Sequence, residues 1–209
     1  MVFGVPAMTV ALNTGAPVHG TPDSATVQFL ANAMARRYGL PHRSICNVST
    51  SKSPDMQAGY DSMWGLFPAM LSGSDWITMA GGMQEGALTV SYAKTMIDFE
   101  QVDAFCHFLQ GPDFSNIEDI FQAVKSVGPG GHFLGEATTL KSNLFIFPSQ
   151  YNNTFEQWDA EGQPTSVEAG NEKAKAWLKR YAEPAIDPAL DEALLGFMAR
   201  RTAELEGKD

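Results

Sequence analysis

The sequence predicts an α/β fold built on a parallel sheet. Three observations predict it. Apolar stretches of strand length recur through the N-terminal half, each opens into a loop rich in Gly, Ser or Pro, and each loop gives way to a segment with helical spacing. Repeated strand–loop–helix units build parallel sheets. Their crossovers are right-handed, so the loops that follow the strands gather at one end, and in a barrel or an open sheet that end carries function.

The first candidate strand is "MVFGVPAMTV", Val2 to Val10. It is apolar from its first residue and has no polar lead-in, so it reads as a strand met in mid-protein and predicts that the chain is a piece of something larger. "NTGAPVHGTPDS" follows as a loop by its Gly and Pro content. Thr21 can cap the next helix, with Pro22 at its first position and Asp23 in its first turn. Val27, Leu30, Met34 and Tyr38 recur there at helical spacing, Arg36 and Arg37 sit near the negative end, and Gly39 terminates the helix. A second strand is predicted over His42 to Val48. The loop "STSKSPD" then leads to a helix that begins at Pro54 and Asp55, kinks at Pro68 and closes at Gly73. The third strand is Asp75 to Ala80. The third helix starts near Gly86 and continues towards Phe108, and a short one covers Ile117 to Val127.

The C-terminal third differs. An irregular, aromatic stretch runs from His132 through "FEQWDAEGQPTS". Two charged amphipathic helices follow, one capped by Ser166, the other by Asp187 with Pro188 at its first position.

With 209 residues, 44% hydrophobic and 18% charged, the chain is globular and long enough for a sizeable core. A net charge of −10 argues against nucleic acid and anionic membrane as partners, since both need clustered Lys and Arg. No run of about 18 apolar residues is present, so nothing in the sequence predicts a bilayer span. The start has no basic region and no cleavage site of a signal peptide. Cys46 and Cys106 are too few for a disulfide framework and are expected to be buried thiols in a reducing, cytoplasmic compartment.

The chemistry-bearing residues fall on the loops after the strands. "STSKSPD" offers Ser49, Ser51, Lys52 and Asp55, either as a solvated helix-capping loop or as a substrate loop. "GGMQEG" offers Gln84 and Glu85 between glycines, an arrangement that suits close backbone approach, proton handling or a counter-charge for a cation. His132 follows a compact glycine turn. The aromatics Trp76, Tyr92, Phe133, Phe145, Phe147, Tyr151 and Trp158 are mostly core by type. Two or three of them are candidates to wall a pocket for a quaternary ammonium, at roughly 0.5–2 kcal/mol of cation–π attraction each. No nucleotide fingerprint occurs: "GPGG" is not GxGxxG, and GxxxxGK[ST] is absent.

Taken together, "NTGAPVHGTPDS", "ARRYGLPHRS", "SPDMQAGY", "GGMQEGALTVSYAKTMIDFE", "VGPGGHFLGEATTL", "TFEQWDAEGQPT" and "YAEPAIDPALDEALLGFMARR" resemble the trimethylamine methyltransferase family across essentially the whole chain. The resemblance implies a TIM (β/α) barrel that demethylates a small methylated amine. The acceptor would be the cobalt of cobalamin, a corrinoid carried by a separate partner protein and not bound directly by this chain. Family members are about twice this length, so the resemblance implies a partial barrel. Residues 1–135 would be its C-terminal half, and 136–209 an irregular segment and helices packed on it. Trimethylamine-specific members carry pyrrolysine, whose position falls in or near Val48 to Ser53. Only ordinary residues stand there, as in the branch whose substrates are quaternary amines such as glycine betaine.

On that reading Glu85 and His132 are the candidate catalytic residues. Ser49, Ser51, Lys52, Gln84, Tyr92 and Phe133 are the candidate substrate contacts, no metal is bound by the chain itself, and a homo-oligomer is expected. Two other readings stand beside it. One is a catalytically silent half-barrel that binds or assembles with another half, because three strands cannot close a barrel and an open edge invites a partner. The other is an unrelated barrel lyase acting through Glu85 and Lys52.

Overall fold

The computed structural model describes residues 1–4, 8–141 and 153–206. The chain divides into two compact units, Met1–Lys175 and Ala176–Asp209.

The first unit is organised by a parallel sheet. Strand β1 (Phe3–Gly4) is followed by a small antiparallel hairpin, β2 (Thr9–Val10) and β3 (Pro17–Val18), and then by helix α1 (Pro22–Arg37). Next come β4 (His42–Ile45), α2 (Met56–Leu71) and β5 (Trp76–Thr78). Parallel pairing in the order β1-β4-β5 sets Phe3 against His42 and Arg43 against Trp76. A second hairpin, β6 (Met83–Gln84) and β7 (Thr89–Val90), encloses a 3-10 turn at Glu85–Ala87 and precedes α3 (Tyr92–Gln110). The fold is therefore mixed α/β with a small parallel sheet, and no closed barrel forms among the described residues. Because the three strands are parallel, the chain leaves all of them at the same end of the sheet, and the described residues that follow are 8–21, 46–55 and 79–91.

The strands are shorter than their apolar runs suggest, for a local reason. β4 stops at Ile45, and Asn47 turns the chain away at φ 49°; β5 stops at Thr78, and Met79 does the same at φ 60°. The stretch Val2 to Val10 is likewise not one strand but β1 and β2. The third helix begins at Tyr92 rather than near Gly86, because the hairpin intervenes and Ser91 supplies the cap by accepting from the Lys94 amide.

The cap of α1 lies where sequence places it, whereas α2 begins at Met56, past the expected start at Pro54 and Asp55, with Asp55 as its cap. Thr21 accepts from the Ser24 amide and Asp55 from the Ala58 amide, each satisfying one orphan donor of a first turn. Helix α2 runs on through Pro68 for one further turn, to Leu71.

The core is small. Cys46, Leu66 and Ala69 form its centre, with Met70, Ile77, Ala80, Val102 and Phe105 packed around them. Helix α1 does not bury the stripe its spacing advertises. Ser24, Ala25, Gln28, Ala31, Asn32 and Ala35 face inward, whereas Val27, Leu30, Met34 and Tyr38 are exposed, Leu30 at 61%. Small side chains let α1 approach α2 closely, and the ring of Phe29 meets that of Phe67 edge-on at 6.0 Å.

Cys106 also corrects its expectation. Cys46 is buried, and burial pushes its thiol up to about 12, but Cys106 sits exposed on the outer half of α3. Alkylation of the native protein should therefore modify Cys106 rapidly and leave Cys46 intact until unfolding, read by peptide mass spectrometry.

Helices α4 (Ile117–Val127), α5 (Ala137–Leu140), α6 (Phe155–Ala160) and α7 (Ser166–Leu178) follow. The cap of α7 is Thr165, not Ser166: its hydroxyl accepts from the Glu168 amide while Glu168 accepts from the Thr165 amide and hydroxyl. Within the first unit α7 lies on α3, where a Cβ on Gly170 would stand 2.7 Å from the Ala93 carbonyl oxygen. In the second unit α8 (Pro188–Leu205) is capped by Asp187, as predicted. No helix of the described residues is long and apolar enough to cross a membrane.

Candidate functional site

The three segments that leave the parallel strands meet each other. Backbone bonds join the second to the third: Ser49 N–H donates to Met83 C=O (3.1 Å), Glu85 N–H to Ser51 C=O (3.0 Å) and Gly86 N–H to Ser49 C=O (2.9 Å). The first segment closes on the third and on α2. A Cβ on Gly86 would lie 3.4 Å from Pro17, and one on Gly20 would lie 2.3 Å from the Asp61 Cα. The third segment reaches this position through consecutive left-handed residues, Glu85 (φ 52°), Gly86 (φ 66°) and Ala87 (φ 73°). Two of these carry a Cβ, and such conformations persist only where the surroundings hold them.

Polar side chains beneath the loops hold them. Asp61 of α2 accepts from the Ser49 hydroxyl (2.8 Å), the Thr50 amide (3.0 Å) and the Thr50 hydroxyl (3.2 Å). The Ser51 hydroxyl sits within 2.9 Å of both Asp55 oxygens. The Ala58 amide, with the Ser53 and Ser51 hydroxyls, holds the Asp55 carboxyl below its ordinary range. Burial lowers the pKa of His19, also buried, and outweighs the upward pull of Asp61. Further in, Lys94 and Asp98 form an ion pair of 2.6 Å in which both side chains are 2% exposed. Lys94 Nζ also donates to Asn47 C=O (2.9 Å) and Ser62 Oγ (2.7 Å), and Asp98 accepts from Ser62 Oγ (2.9 Å) and the Gly82 amide (2.8 Å).

Two buried polar atoms at this edge have no hydrogen-bond partner, the Asn47 amide oxygen and the Gln84 amide nitrogen. A third such atom, His42 Nε2, lies at the start of β4, where Nδ1 of the ring meets Ser74 Oγ at 3.1 Å. Burial lowers the His42 pKa, against Asp75 and with Arg36. For both His19 and His42 the folded state resists protonation, so their contribution to stability is complete above about pH 6.5 and is lost as pH falls through the lowered values. Unfolding free energies from urea titrations should fall as pH drops below about 6.5, by at most about 1.4 kcal/mol per pH unit for each histidine, and His42→Asn should flatten part of that slope.

The structure thus brings together Ser49, Ser51, Gln84 and Glu85. Ser49, Ser51 and Gln84 are buried, Glu85 is half-buried, and Lys52 on the same loop is exposed with Nζ donating to Thr50 C=O. Tyr92 is exposed at the first residue of α3. His132 and Phe133 are exposed on the α4–α5 connection, and no described hydrogen bond ties them to the three loops. The expected aromatic wall is not assembled among the described residues. Trp76 is 60% exposed on the edge strand β5, Trp158 packs on Phe155, and Phe145, Phe147 and Tyr151 lie outside the described residues. An apolar groove is present elsewhere, lined by Tyr60, Met63, Trp64 and Phe67 along one face of α2. Among the described residues no group of three or more His, Cys, Asp or Glu could hold a metal ion.

Sequence reading missed His19, Asp61, Lys94 and Asp98. The spacing of Lys94 and Asp98 was available, but an i,i+4 pair of opposite charge is most often a solvated one, and nothing local marks this pair as buried.

Comparison with known proteins follows the same ground. A family model described as trimethylamine methyltransferase (MTTB) matches residues 1–206. The chain is 30% identical over 208 residues to a glycine betaine methyltransferase of Desulfitobacterium hafniense (strain Y51), covering 98% of this chain and 43% of that protein. It is 29% identical over 190 residues to trimethylamine methyltransferase MttB2 of Methanosarcina mazei, covering 88% and 38%. It is 29% identical over 140 residues to a proline betaine:corrinoid methyltransferase of Eubacterium limosum, covering 66% and 29%. The chain therefore spans less than half the length of these relatives. Since the family match takes in the three converging loops, the buried pair beneath them and the helices that follow, the chain belongs to the trimethylamine methyltransferase family.

Proposed function

We propose that this chain is part of a methyltransferase that takes a methyl group from a quaternary or tertiary methylamine of the glycine betaine kind, within a TIM (β/α) barrel of which the described sheet forms one portion. The observation that carries this is the similarity to the glycine betaine methyltransferase over 98% of the chain. A corrinoid carried by a separate protein enters as second substrate and supplies the electron pair that takes up the methyl group. The carbon–nitrogen bond breaks with its own pair left on nitrogen. A quaternary substrate therefore leaves as a neutral tertiary amine with no proton moved at the reacting centre, and a tertiary amine does the same only as its protonated ammonium, which leaves as the neutral secondary amine.

The chain's task is then to orient a cation and exclude water. Glu85, half-buried and fixed through its amide to Ser51, is the counter-charge in this proposal. Gln84, with a buried amide nitrogen that has no partner, suits an anionic group on the same substrate, such as a betaine carboxylate. Ser49 and Ser51 use their hydroxyls on Asp61 and Asp55, so they shape the wall. Lys52, Tyr92, His132 and Phe133 are assigned to the outer mouth.

The uncovered faces support a second element of the proposal, that the active unit contains more chain than these residues. The outer edges of β1 and β5 pair with no described strand, and the apolar stripe of α1 is exposed. An oligomer of this chain, or a longer chain, would cover them.

The test is to incubate the intact enzyme with glycine betaine, proline betaine or trimethylamine and a reduced corrinoid protein, and to measure the demethylated amine by mass spectrometry. Dimethylglycine from glycine betaine is the expected result. No demethylated product from any quaternary amine would overturn the assignment. Turnover by residues 1–209 alone as a monomer would remove the need for further chain.

A further inference from the structure

We propose that the buried Lys94–Asp98 pair is the positioning element of the site, holding the exits of β4 and β5 together so that the loops 46–55 and 79–91 keep one shape. The inference rests on the reading of those loops as the amine site.

The argument begins with where the pair's bonds go. Lys94 stands in the first turn of α3 and Asp98 one turn later, and their remaining bonds leave the helix. Lys94 takes the Asn47 carbonyl, just past the end of β4. Asp98 takes the Gly82 amide, in the segment that leaves β5 and directly before β6. Both take Ser62 of α2. The pair thus bonds the main chain at both strand exits and the helix between them.

The pair's bonds fall where the chain turns through left-handed backbone. Asn47 is at φ 49°, a region that asparagine enters more readily than other non-glycine residues. Gly82 is at φ 80°, in a space so tight that a Cβ would stand 2.2 Å from Thr95 Oγ1. Asparagine and glycine both enter left-handed backbone at little cost but are not confined to it, so the bonds from the pair fix one of the conformations open to each position. The polar groups facing the pair are Ser62 Oγ, Asn47 C=O and Gly82 N–H; the Cys46 thiol lies close enough to feel both charges.

Stability alone does not account for an ion pair here. Apolar residues of similar volume in place of a buried pair are often as stable or more so, whereas a charge pair with bonds to the main chain fixes one arrangement. The other ion pairs among the described residues are more exposed: Glu172–Lys175 and Arg201–Glu204 lie within single helices, and Lys173–Glu100 joins α7 to α3 with both side chains partly in solvent.

The experiment compares two double variants of the intact enzyme, because each single variant strands a buried charge. Lys94→Met with Asp98→Asn frees the Asn47 carbonyl but keeps an acceptor for the Gly82 amide. Lys94→Met with Asp98→Leu removes both bonds. Hydrogen exchange should rise about tenfold over 47–55 in the first variant, spread to 80–91 in the second, and stay unchanged over 42–45 and 76–78 in both. Methyl-transfer assays of the same folded proteins should show a raised KM with kcat changed less than about twofold, since neither residue touches the reacting carbon.

Folded variants whose loop exchange is unchanged, or whose sheet loosens as much as the loops, would overturn the inference, as would a double variant that does not fold. The exchange result needs no turnover. Local loosening in a protein that demethylates nothing would count against the proposed reaction and leave the positioning role standing.

Discussion

Lys94→Met alone should lower the stability of the protein by about 3–5 kcal/mol. The substitution keeps much of the side-chain volume but leaves the Asp98 carboxylate, 2% exposed, without its partner. Burial already pushes the Asp98 carboxyl up, and the bonds from Lys94, Gly82 and Ser62 oppose that push. Without Lys94 the folded state favours the protonated acid still more. A carboxyl whose folded value lies above its unfolded one contributes stability at low pH and loses it as pH rises through the folded value. The deficit of the variant should therefore be smallest near about pH 4 and largest at neutral pH and above. Denaturant titrations at several pH values measure it. A deficit under about 1 kcal/mol at neutral pH would place the pair with surface ion pairs. Lys175→Met is the control: its ion pair is exposed, and its loss should change stability by less than about 1 kcal/mol.

Gly20→Ala is the second large effect, expected at about 2–5 kcal/mol from two sources that add. The residue is at φ +69°, where an L side chain costs about 1–2 kcal/mol. The new methyl would also stand 2.3 Å from the Asp61 Cα and 2.8 Å from its carbonyl oxygen, and backbone atoms cannot swing aside as a flexible side chain can. Overpacking of this kind typically costs about 1–3 kcal/mol more. Gly39→Ala separates the two sources, because Gly39 has a similar φ of +64° with nothing within 4 Å of its added carbon. Thermal unfolding of both variants tests the account. Equal losses would mean that the contact between the first loop and α2 is looser than described. If the contact is real, Gly20→Ala should also disturb His19 and the loop bonded to Asp61, and so, on the proposed function, weaken amine binding.

Much of the fold was legible because its signals are local. Thr21 with Pro22 and Asp187 with Pro188 announce helix starts that any neighbour would leave in place, and the strand–loop–helix rhythm announces a parallel sheet. What escaped depended on partners far along the chain. The stripe Val27, Leu30, Met34, Tyr38 reads as a buried face, yet the face that packs on α2 carries Ala31, Asn32 and Ala35. Periodicity locates an apolar face without saying what covers it.

The site divides in the same way. That Ser49, Ser51, Gln84 and Glu85 lie together was legible from position, since loops after parallel strands share one end of the sheet. Asp61, whose carboxylate orders that loop, sits in mid-helix with no local mark. Glu85 and Ala87 adopt left-handed backbone that sequence assigns only to glycine or asparagine, so the hairpin there was hidden behind the start of α3.

The seam between α3 and α7 carries a consequence for any shortened version of the protein. Gly170 touches Ala93 backbone to backbone, one residue before Lys94, and Lys173 reaches Glu100 on the same helix at 3.3 Å. A chain cut before Ser166 would lose no residue of the three loops. It would nonetheless lay bare the outer side of the helical turn that bears the buried cation, let water reach it, and so soften a rim whose own amino acids are untouched.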